Sequence, residues 1–76
     1  MRQIIPNVFA VRDGVKLRPF KVRGKYTCHD PETGERRAET LGEVKLYVEM
    51  GYSVQMKSKD GSINEIVPAD QIEASY

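Results

Sequence analysis

The feature that most constrains this chain is the close spacing of its turn signals. Asp13-Gly14, the segment Asp30-Pro31-Glu32-Thr33-Gly34 and Asp60-Gly61 each interrupt short runs rich in β-branched and aromatic residues. Only TLGEVKLYVEMG, residues 40–51, leaves room for a substantial helix. The pattern predicts an α+β fold: a small antiparallel sheet built from three hairpins with one α-helix packed on it. No internal repeat, low-complexity run or linker divides the chain, so residues 1–76 read as a single compact domain.

Each turn has its own chemistry. Asp13-Gly14 suits a two-residue type I′ turn, because both residues tolerate positive φ. That loop pairs Arg12 with Val15 and Ala10 with Leu17, and puts Val8, Ala10, Val15 and Leu17 on one face as core. Pro19 cannot donate to a ladder, and marks an edge or a bulge where the alternation changes phase. In HDPETGER, Pro31 presets φ, Asp30 bonds back to the turn backbone and Gly34 takes the left-handed position. The arms of this second hairpin are expected at Phe20 to His29 and Glu35 to Ala38. A third hairpin is expected around Asp60-Gly61. The tail PADQIEASY reads as one helical turn or an extended return anchored by Ile72.

Thr40 and Glu43 form the S/T-x-x-E capping box that opens the helix, and Gly51 ends it. Leu41, Val44, Tyr47 and Val48 fall on one broad face, as packing on a sheet requires. Leu46 and Met50 fall nearly opposite. They are either covered by the tail and the helix end, or offered to a protein partner.

A chain of 76 residues has a modest core. One cysteine cannot form an internal disulfide, and one histidine with one cysteine has no metal-ligand spacing. No cofactor or metal is expected, and a homodimer or a stable partner is the natural supplement to the core. The N-terminal MRQIIPNVFAV is too interrupted for a signal sequence or a membrane span, so a cytoplasmic location without membrane contact is expected. Charge is uneven along the chain. Residues 1–37 carry nine Lys and Arg against four acids, and residues 38–76 carry three against seven.

Within FKVRGKYTCH, residues 20–29, basic residues alternate with apolar ones. As one continuous strand it would place Lys21, Arg23 and Lys25 on one face, about 7 Å apart, with Arg36 or Arg37 on the returning arm extending the patch. Such a row would suit nucleic-acid backbone. The competing reading is a solvated strand face that keeps the protein soluble and blocks edge pairing. Phe20, Val22, Tyr26 and Cys28 would share the buried face. Cys28 and His29 would then diverge, which removes the hydrogen-bonded pair that covalent catalysis needs. No phosphate loop or supported acid pair appears, so the chain reads as a non-enzyme.

From Lys25 to Ile72, the pieces KY, D-x-E-T, TLGEV, a helix ending at Gly51, VQMKSKDGS and QI resemble the N-terminal DNA-binding domain of polyhydroxyalkanoate-accumulation regulators. TCHDPETG stands where that family carries an arginine-rich segment, and residues 1–24 lie outside the resemblance. The resemblance implies a small regulatory module that binds DNA. Two functional readings follow from the sequence as a whole. One is a regulatory binding module, dimeric, that contacts nucleic-acid backbone through Lys21, Arg23, Lys25, Arg36 and Arg37. The other is a protein-binding adaptor or inhibitor that uses Leu46, Met50 and the acidic C-terminal half.

Overall fold

The computed structural model describes residues 4–76, so Arg2, one of the cations of the basic half, lies outside them. The first strand, β1 (Asn7–Arg12), turns into β2 (Val15–Pro19) through Asp13 at φ 50 and Gly14 at φ 76. This is the left-handed pair that a type I′ turn needs, and Ala10 opposes Leu17 as the sequence predicts. Val8, Ala10 and Leu17 are buried, but Val15 is 37% exposed. The reason is reach: the next strand pairs with β2 only from Leu17 to Pro19, so the last rung of the hairpin projects past the core.

FKVRGKYTCH is not one strand. Arg23 at φ 55 and Gly24 at φ 81 form a second two-residue turn, between β3 (Lys21–Val22) and β4 (Lys25–Asp30). Lys21 opposes Tyr26 and Val22 opposes Lys25. The reversal inverts the expected parity. Lys21 joins the face of Tyr26 and Cys28, while Phe20 and Val22 fall on the other side and are half-buried. The chain therefore has a fourth hairpin beyond the three expected, and the long first arm is divided.

From β4 the chain returns as β5 (Gly34–Ala38), with Tyr26 opposite Ala38 and Asp30 opposite Gly34. The Asp30 carboxylate accepts from the backbone N–H groups of Glu32 at 2.8 Å and Thr33 at 3.4 Å. The one α-helix, α1 (Leu41–Glu49), begins where the Thr40 hydroxyl oxygen accepts from the Glu43 N–H at 3.2 Å. It stops in a Schellman arrangement: Gly51 N–H donates to the Val48 carbonyl and Tyr52 N–H to that of Tyr47, with Gly51 at φ 93. The hydrophobic contact that accompanies this motif is a stacked pair, the Tyr47 and Tyr52 rings lying 4.9 Å apart and nearly parallel.

The remaining strands are β6 (Ser53–Ser58), β7 (Asn64–Val67) and β8 (Glu73–Ser75), the last reached through a 3₁₀ turn at Ala69–Gln71. The tail thus contains both the helical turn and the extended return, with Ile72 packed on the core between them. All eight strands join one antiparallel sheet whose main path runs β3-β4-β6-β2-β1-β8, with β5 added on β4 and β7 on β6. β6 pairs with β4 near its start and with β2 near its end. The two partners splay apart, and the chain from β2 into β3 spans the gap, passing from β6 to β4 at Pro19 and Phe20. Alternation keeps its phase through Pro19; what changes there is the neighbouring strand.

Leu17, Cys28, Val44, Val54, Met56 and Val67 are fully buried and form the centre of the core. The helix contributes Val44, with Tyr47 and Val48 against the cluster and Leu41 half-buried beside Tyr26. An ion pair from Arg12 to Glu65 joins the end of β1 to β7, which shows how strongly the sheet curls.

Candidate functional site

The row of cations expected on residues 20–29 does not form, because Arg23 occupies the turn and Lys21 and Lys25 point to opposite faces of the β3–β4 hairpin. Each expected residue has a different environment. The Lys21 ammonium lies 5.5 Å from the centre of the Tyr26 ring, and Lys25 approaches Glu39 at 3.7 Å. Arg37 holds Glu35 at 3.1 Å and crosses β4 to donate to the Val22 carbonyl at 3.2 Å. Arg36 opposes Cys28 on the helix side, near the Tyr52 hydroxyl. Lys21, Arg23 and Arg36 are thus the three of the five without a carboxylate partner among the described ion pairs.

Burial raises the Cys28 thiol to about 11, with Glu43 adding to the shift, so the group stays protonated at neutral pH. Its neighbour His29 opposes Glu35 on the other face, so the two side chains diverge as the strand geometry requires. The described residues contain no cluster of three or more His, Cys, Asp or Glu that could hold a metal ion. They also contain no helix long and apolar enough to cross a membrane.

Sequence reasoning missed the strongest concentration of charge. Arg18 on β2 and Lys57 on β6 stand directly opposite each other, both exposed on the face away from the core. One further step in the same register sets Lys59 beside Lys16, and both line the same shallow depression. None of the four forms an ion pair among the described residues. Asp60 lines the same depression, and its Oδ1 accepts from the Ser62 N–H and from the Ser58 and Ser62 hydroxyls, which lowers its carboxyl to about 2 and keeps it charged at neutral pH.

Two phenylalanines flank this quartet. The Lys16 ammonium sits 4.5 Å from the Phe9 ring centre, and that of Lys57 5.2 Å from Phe20. Like charges opposed across a ladder cost roughly 0.2–1 kcal/mol, which exposed cation–π contacts of about 0.5–1 kcal/mol offset. The cluster is therefore tolerated without a direct ion pair among the described residues, although Asp60 lines the same depression and Glu73 stands opposite Phe9.

A second exposed feature is apolar. Leu46 and Met50, one helical turn apart, are 57% and 63% exposed, and the tail does not cover them. Tyr76 instead lies against Lys45, whose ammonium is 4.4 Å from the ring centre.

The chain matches no family model, no curated protein and no solved structure.

Proposed function

We propose that this protein is a small regulatory binding module, not an enzyme, whose sheet holds the phosphate backbone of a nucleic acid. The observation that carries the reading is the register of β2 on β6, which opposes Arg18 to Lys57 and brings Lys16 and Lys59 alongside, none of the four held in an ion pair among the described residues. Unpaired cations on neighbouring strands supply the electrostatic part of such binding. Arg23 and Arg36 are further candidates for phosphate contact, whereas Lys25 and Arg37 already face acids.

Fluorescence anisotropy with mixed-sequence DNA and RNA tests this. Binding at low salt should weaken as salt rises, with a steep log–log slope. Indifference to both nucleic acids would sink the reading.

The exposed pair Leu46 and Met50 favours a second reading, a protein-binding adaptor whose partner includes a second copy of the chain. Sedimentation of the wild type and of Leu46→Asp separates the readings. Salt-insensitive association lost in the variant supports a protein interface, and a monomer at every concentration removes the homodimer.

A further inference from the structure

The geometry points to single-stranded nucleic acid as the ligand of the β2–β6 face, with bases stacked on Phe9 and Phe20 and phosphates held by Lys16, Arg18, Lys57 and Lys59. This inference rests on the nucleic-acid reading given above. The four cations occupy a compact patch, with Cα positions about 5 Å apart across the strands and about 7 Å along them. A patch of that size follows consecutive phosphates of one strand. Among the described residues no helix stands on this face to enter a duplex groove, because α1 packs on the opposite, core-facing side, where Val44 joins the buried cluster that holds Leu17 and Met56.

The rings give the second half of the argument. Phe9 and Phe20 are half-buried, and each carries an exposed lysine ammonium over its face, at 4.5 Å and 5.2 Å. Bases in a duplex are stacked on one another and cannot reach a ring half-buried in a sheet face. Unpaired bases can, and aromatic platforms beside a basic groove are the usual means of holding a single strand without sequence preference. On binding, a base takes the ammonium's place over each ring. The displaced Lys16 or Lys57 then swings to the adjacent phosphate, so the same lysine serves the free and the bound protein.

The test compares a labelled oligothymidylate, an abasic phosphodiester strand of the same length and a duplex of the same length, measured by anisotropy at low salt. The oligothymidylate should bind about tenfold or more tightly than the abasic strand or the duplex. Phe9→Leu and Phe20→Leu, which keep apolar bulk, should each erase much of that advantage and leave abasic binding unchanged. Equal binding of all three ligands, with the leucine variants unaffected, would overturn base stacking while leaving the phosphate contact standing. Binding of none would overturn both. Circular dichroism of each leucine variant verifies folding, and a folded variant with full oligothymidylate affinity removes that ring from the site.

Discussion

The β3–β4–β5 region and the β2–β6 region carry the same kinds of basic residue and use them differently. In the first, Lys25 faces Glu39, Arg37 ties β5 to the Val22 carbonyl, and Lys21 rests on Tyr26. In the second, Arg18 opposes Lys57 and no acid intervenes. Register, more than composition, decides whether a cation is consumed inside the fold or left available to a ligand. A surface lysine with a partner contributes little to stability. A pair of like charges fixed opposite each other is a small standing cost, and a bound anion would turn it into a gain.

The contrast can be broken most sharply by charge reversal. Arg18→Glu with Lys57→Glu should lower affinity for a nucleic acid on the order of 100-fold at low salt and reduce the log–log salt slope by about 2. Lys25→Gln with Arg37→Gln should change affinity less than about twofold. Anisotropy titrations of the two double variants at several salt concentrations decide between the regions, and equal losses in both would erase the distinction. The reversed pair keeps like charges opposed and gives up only the Lys57 contact with Phe20, so its stability should fall by no more than about 1 kcal/mol.

Stability then moves the other way. Arg37→Gln removes the bond across β4 and should destabilise by about 1 kcal/mol, read from the urea midpoint. Arg18→Glu alone turns a repulsive pair into an attractive one and should stabilise by about 0.5 kcal/mol while weakening binding. Loss of stability in that variant would contradict the register argument.

The smallest effect is expected in acid. The Asp30 carboxyl is lowered to about 2, first by the Glu32 N–H, then by the Tyr52 hydroxyl. A depressed carboxyl favours the folded state fully above its ordinary value of 3.8, and that contribution disappears as pH falls through about 2. Asp30→Asn should therefore flatten the acid limb of the stability curve. Unchanged acid unfolding in the variant would remove the β4–β5 turn from that transition.

Local features were legible wherever a few neighbouring residues decide the outcome. Asp13-Gly14, the Thr40 cap and the Gly51 stop behave as their chemistry requires, and the α+β arrangement of one helix on an antiparallel sheet follows from them. The Arg23-Gly24 turn was not legible, because arginine seldom takes positive φ and the surrounding alternation reads as an unbroken strand. That single turn inverted the faces of Phe20, Lys21 and Val22.

The β2–β6 cluster was hidden for a different reason. Its halves lie about forty residues apart in sequence, and their meeting depends on a non-local register that no pattern in either strand announces. The exposed side of α1 was legible, since periodicity alone sets Leu46 and Met50 opposite Val44.

The pairing of β1 with β8 has a kinetic consequence. Asn7 opposes Ser75, so completing this edge requires residues from nearly opposite ends of the described chain to meet. Hairpins such as β1–β2 and β6–β7 can close early, because their contacts are local. The final zipper cannot, and the loop entropy it must overcome puts it among the slower steps of folding. A nascent chain on the ribosome would therefore carry β1 with one edge unprotected until residue 75 had been synthesised, and that interval is when it would be most exposed to aggregation and to chaperones.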